Sequence, residues 1–112
     1  MKNLDKDMHF GLTDLIENIH QDYEKWKILV NIIESDCASI TTEIGSKYIK
    51  IIRSKGTQRS VWGFIVNTTT DKKFKYGDIL KAAGWAAPAR NKPRGNILDG
   101  GYTINWTGPN YL

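Results

Sequence analysis

From Leu12 to Ile33, apolar residues recur at 12, 15, 16, 19, 23, 26, 29, 30 and 33. Steps of three and four place them on one side of a helical repeat, and DLIENIHQDYEKWKILVNII contains neither Gly nor Pro. The pattern predicts a long amphipathic helix starting near Thr13 and Asp14, which suit a cap and the positive end of the helix dipole. Ile32 and Ile33 widen the stripe beyond what one small sheet has to cover. The surplus is expected to meet a helix of another copy in a homo-oligomer.

ESDCASITTEIG reads as a turn, after which the period changes to two. KYIKIIR (47–53) and SVWGFIVNT (60–68) are β-branched and aromatic, and SKGTQR between them supplies a hairpin turn around Gly56. Tyr48, Lys50 and Ile52 are assigned to one face of the first strand, and Ile49, Ile51 and Arg53 to the other. Gly63 inside the second strand marks a bulge or a close backbone approach. TTTDKKFKYGD is a loop or short strand with a turn at Gly77, and ILKAAGW is read as one helical turn ended by Gly84. DGG turns the chain into a short closing strand, YTINW, and Pro109 keeps TGPNYL extended. The expected fold is α+β, one domain over 1–112. A helical part, 1–36, packs on a small antiparallel sheet within 45–112, which ends in a basic C-terminal loop region.

At 112 residues and 40% hydrophobic content, the chain suffices for one modest core. No apolar run approaches the roughly 18 residues of a membrane-crossing helix, and MKNLDKDMHF lacks the apolar centre of a secretion signal. The single cysteine, Cys37, cannot form an internal disulfide and reads as a small buried hydrophobe. A cytoplasmic protein is expected, so the glycosylation patterns at Asn67 and Asn105 carry no meaning.

Charge changes the picture further. Residues 1–46 hold four basic and nine acidic side chains, whereas 47–94 hold twelve basic ones against Asp71 and Asp78. Such a division suggests an anionic partner for the second half, or attraction between unlike parts of two copies.

The densest basic stretch is WAAPARNKPRGNIL, 85–98. Arg90 and Arg94 can each hold a phosphate through paired hydrogen bonds. Gly95 can expose backbone N–H groups to an anion, and Asn91 and Asn96 suit ribose hydroxyls or a base edge. Trp85 and Phe74 are the rings chosen to stack on a base, while Trp62 and Phe64 read as core. Arg53 and Arg59, bracketing the hairpin turn, are candidates for a second anion contact or plain surface. A few such groups in a concave site would hold a small nucleotide; dispersed along an open face they would track nucleic acid, the second choice.

Enzyme signatures are poor. There is no Walker-type glycine loop, no cysteine pair and no metal-spaced histidine pair, and His9 and His20 read as ordinary helix residues. Asp71, Asp78 and Asp99 lie in turn-like stretches where aspartate bonds the backbone. A binding protein is expected, without catalytic residues, cofactor or metal.

The spaced residues KYxKI, SVxxF, GD, KxAxWxxPA and RG, within 45–98, resemble a group of small phage-encoded proteins, and within it the Thoeris anti-defence sponge family. The matching positions of the last two motifs are Lys81, Ala83, Trp85, Pro88, Ala89, Arg94 and Gly95. This chain departs at AAGW, where the common pattern places Pro or Ala before Ser-Trp. The resemblance implies a phage protein in the host cytoplasm that sequesters a cyclic ADP-ribose signal without cleaving it. It also implies dimers or hexamers of dimers, and in some members a separate site for cyclic oligonucleotides.

Overall fold

The computed structural model describes residues 6–29, 38–55, 57–100, 102, 104, 105, 108 and 109. A single long helix, α1 (Lys6–Leu29), precedes strands β1 (Ala38–Ile44), β2 (Tyr48–Lys55), β3 (Gln58–Val66) and β4 (Ile79–Leu80). These four form an antiparallel sheet in the order β1-β2-β3-β4, and β5 (Ile104–Asn105) pairs separately with β6 (Gly108–Pro109). The fold is α+β, as the change of period predicts.

α1 begins seven residues before the predicted cap. Thr13 is inside the helix, its hydroxyl donating to the carbonyl of His9 at 2.9 Å. Apolar Met8, one turn before Leu12, extends the stripe, and Gly11 does not break it because its missing side chain is what the packing requires. A Cβ at Gly11 would lie 2.7 Å from the carbonyl oxygen of Ile97. Met8, Leu12, Leu15 and Ile19 share a core with Ile49, Ile51, Trp62, Ile65, Ile79 and Ile97. The end of the predicted helix at residues 30–33, its helix-to-helix contact there, and Cys37 lie outside the described residues.

The stretch expected to turn contains β1 instead. In ASITTEI, Ile40, Thr42 and Ile44 alternate with Ser39, Thr41 and Glu43, and β-branched residues at every second position suit a pleated edge. The β2–β3 hairpin forms where expected. Its register shifts between Ile51 and Ile52, so Trp62 is an extra residue between Val61 and Gly63. That bulge explains how Trp62 joins the helix-side core while Phe64 and Val61 pack on the opposite side. Gly63 also provides the close approach: a Cβ there would meet the Leu80 carbonyl oxygen at 2.8 Å and Pro109 at 3.1 Å.

ILKAAGW is not helical. Ile79 and Leu80 pair with Ile65 and Phe64 as β4, because both are fully buried, one on each side of the sheet. The segment after β4 then folds back along it. Ala89 N–H donates to the Lys81 carbonyl at 2.7 Å, Arg94 N–H to Ile79 at 2.7 Å, and Ile97 N–H to Gly77 at 3.0 Å. Most of the basic stretch 85–98 is therefore a cover for the β4 edge. No helix among the described residues is long and apolar enough to cross a membrane.

Candidate functional site

The sheet has two faces of different chemistry. Ile49, Ile51 and Ile65 lie under α1. The opposite face carries Tyr48, Lys50 and Ile52 from β2 and, across the register, Val66, Phe64 and Val61 from β3. Arg59 stands opposite Ser54 on this same face. A second core of Phe64, Val66, Phe74 and Leu80 builds up here, with Tyr48, Val61 and Ala82 packed on it.

Trp85 rests over this face and is 48% exposed. The Lys50 ammonium lies 4.7 Å from its ring centroid and the Arg59 guanidinium 5.5 Å, both within cation–π range. Lys50 comes from β2 and Arg59 from β3, so the hairpin register brings them together. Beside them is an open cavity of about 360 Å³ lined by Glu43, Ile44, Gly45, Lys47, Tyr48, Lys50, Phe64 and Ala86. Glu43 lies 3.9 Å from Lys50, at the outer limit of an ion pair. This is where an exposed ring, cations and a cavity coincide.

One wall of that cavity is held from outside. The hydroxyl of Tyr48 accepts a hydrogen bond of 2.5 Å from Arg90, whose guanidinium also meets Asp71 at 3.0 and 3.1 Å. Arg90 lies 4.8 Å from the centroid of the Phe74 ring. Asp71 in turn accepts from the backbone N–H groups of Lys73, at 2.8 Å, and Phe74, at 3.0 Å. These bonds, Arg90 first, hold the Asp71 carboxyl well below the usual carboxylate range, and the same bond raises the Arg90 guanidinium. The ammonium of Lys73 completes the node by donating to the Arg90 carbonyl.

The expected ligand residues are therefore divided. Phe74 is only 4% exposed with Arg90 over its ring, so the expectation that it stacks on a base is corrected: it fills the second core. Arg90 spends its terminal nitrogens on Asp71 and Tyr48 rather than presenting them to a phosphate. Asn96 is buried, its amide nitrogen donating to the Tyr76 carbonyl and to Asp78, each at 2.9 Å. Its oxygen accepts from Leu98 N–H at 2.7 Å and Asp99 N–H at 3.2 Å, which occupies the groups assigned to ribose. Gly95, at φ 144°, admits Tyr102, whose Cβ would be 2.5 Å from a Cβ at that position. Gly95 thus serves packing where an anion cradle was expected.

Asn91 and Arg94 stay together at the surface of the cover, their side chains 3.1 Å apart, and Arg94 also donates to the Lys92 carbonyl at 3.1 Å. Arg53 and Arg59 do not form one anion site. Arg53 pairs with Ser60 and Arg59 with Ser54, and adjacent pairs point to opposite faces. Partial burial lowers the Arg53 guanidinium from its usual value. Arg59 is the one that lies over Trp85, beside Lys50. Lys47 and Lys50 escape a reading of the sequence alone, although the alternation that places Lys50 beside Tyr48 is an available signal.

Asp71 and Asp78 bond backbone N–H groups, as their turn positions suggest, the latter accepting from Lys75 at 2.8 Å. No group of three or more metal-binding side chains occurs among the described residues. No curated protein and no solved structure matches the chain. A family model does, over residues 3–109: the chain belongs to DUF7717, a family of unknown function.

Proposed function

We propose that the protein binds a phosphorylated nucleotide on the sheet face that carries Trp85, Lys50 and Arg59. The observation behind this reading is the half-exposed Trp85 ring placed among cations from two neighbouring strands. A ring in that position offers a base a stacking surface, worth about 1–3 kcal/mol per base. The adjoining ammonium and guanidinium groups suit the phosphate, as does Lys47 in the cavity wall. At about 360 Å³ the cavity falls within the range of small-ligand sites, roughly 300–1,000 Å³. The ligand class follows from the sequence resemblance alone: a cyclic ADP-ribose signal, or a cyclic oligonucleotide, held intact by a phage anti-defence protein in the host cytoplasm.

Single-stranded nucleic acid is the second reading. The openness of the face favours it, because a strand can run across exposed cations on successive strands without entering an enclosed pocket. One titration separates the two. Purified protein is mixed with cyclic ADP-ribose isomers, cyclic dinucleotides and short oligonucleotides at stepped salt, followed by tryptophan fluorescence, and bound material is released by heat and analysed. A small nucleotide recovered intact, with a shallow salt slope, supports capture. Oligonucleotide binding with a steep slope supports the second reading. Recovery of a cleaved nucleotide would make the protein an enzyme, and binding of neither class would sink both readings.

A further inference from the structure

The sheet's two edges are finished differently. The outer edge of β4 is covered: Arg94 N–H donates to Ile79, Ile79 N–H donates to Gly95 at 2.8 Å, and Ile97 N–H donates to Gly77. On the other side, β1 pairs with β2 over all seven of its residues without a register shift. Among the described residues, no backbone hydrogen bond reaches its outer edge. β1 has no proline, no lysine and no bulge, the devices that usually stop one edge from pairing with another. Ile44 at its end is 49% exposed.

We propose that β1 pairs antiparallel with the β1 of a second copy, about a two-fold axis perpendicular to the sheet that passes between Thr42 and its copy. Facing residues in a sheet share a face, so the register must match positions of equal parity. An axis centred on the Thr42 pair sets Thr42 against its own copy, Ile40 against Ile44, and Thr41 against Glu43. Exposed Ile44 then gains an apolar neighbour that already packs on the core. Glu43, the one charge in the strand, meets a hydroxyl. Centring on Glu43 would oppose two like charges, and centring on Thr41 would leave Ile44 against Ala38. The strand is thus self-complementary in one register, the requirement for a closed two-fold contact.

The resulting eight-stranded sheet places both helices on one side and both basic faces on the other. The two β2 strands stand three strand spacings apart, about 14 Å. The second copy's β1 comes beside Glu43, which lines the cavity, so dimerisation and the candidate site share a border. The pairing stands whether or not the face binds a nucleotide.

Native mass spectrometry and light scattering of the full chain across micromolar concentrations test the proposal. Wild type is expected to be dimeric. Thr41→Glu, at an exposed position, sets a new carboxylate against that of Glu43 twice in the dimer and is expected to raise the dissociation constant at least tenfold. Adding Glu43→Lys restores attraction in this register and is expected to restore the dimer. A monomeric wild type, a Thr41→Glu dimer as tight as wild type, or a folded double variant that stays monomeric would each overturn the register. Hydrogen exchange on wild type needs no variant: diluting through the dissociation range should speed exchange in 39–44 while leaving 63–66 unchanged. Exchange independent of concentration in 39–44 would also overturn the proposal.

Discussion

The guanidinium of Arg90 meets the carboxylate of Asp71 through two parallel hydrogen bonds, nineteen residues apart in the chain. Each partner is fixed a second time, Asp71 by backbone N–H groups of its own turn and Arg90 by Tyr48 and the Phe74 ring. The pair fastens the basic cover to the 71–74 turn and to the start of β2, beside the candidate cavity. A residue chosen from sequence as a phosphate ligand is a structural clasp.

The depressed Asp71 carboxyl has a definite pH consequence. Its folded value lies below its unfolded one, so its stabilisation is complete above the ordinary carboxylate range and is lost as pH falls through that range and below. Thermal unfolding of wild type should weaken with acidification more steeply than that of Asp71→Asn. Parallel pH profiles for the two proteins would show that the Asp71–Arg90 pair does not stabilise the fold.

Trp85→Ala and Arg94→Ala distinguish the sheet face from the loop as the seat of binding. Loss of a stacking ring, at about 1–3 kcal/mol, should weaken nucleotide affinity on the order of ten- to a hundredfold. Arg94→Ala, removing a side chain engaged with Asn91 and the Lys92 carbonyl, should change affinity less than about threefold. Titration of both variants checks this, and the reverse order would move the ligand to the 90–96 loop.

Two glycines should respond oppositely to the same substitution. Gly11→Ala drives a methyl against the Ile97 backbone at 2.7 Å, an overpacking cost of about 1–3 kcal/mol. Gly84 has no atom within 4 Å of the new Cβ, and Gly84→Ala should be neutral or stabilise by up to about 1 kcal/mol through the unfolded chain. Chemical denaturation measures both. An undiminished Gly11→Ala would mean that the helix can shift away from the 97 backbone.

Asn96→Ala removes both donors and the acceptor that join the Tyr76 carbonyl, Asp78 and the N–H groups of Leu98 and Asp99. Of these partners Asp78 is buried, and a buried polar group left without its partner costs about 1–3 kcal/mol, so the variant should lose at least about 1 kcal/mol in a denaturant titration. A loss under about 0.5 kcal/mol would show that water takes over these bonds.

Much of the fold is legible along the chain because hydrophobic period is a local property. The helical steps from Leu12 to Tyr23, the alternation in 47–53, the turn before Gln58 and the irregularity at Gly63 each follow from neighbours close in sequence. The helix start is not legible because Gly11, unfavourable in an isolated helix, is required only by the backbone at Ile97, 86 residues away. The β1 stretch resembles a turn because its Ser and Thr residues become strand-like only against β2, with Ile40 against the core. In the same way, composition by itself marks the second half as basic and the Trp85 segment as unusual. Which cations are placed beside Trp85 was decided by tertiary structure. Strand register set Lys50 and Arg59 on one face and Arg53 on the other, while Asp71, Tyr48 and the Phe74 ring engaged Arg90 at the surface. Charge and period are written in the residues themselves, but the partner of a long, flexible side chain is settled only when distant strands come into register.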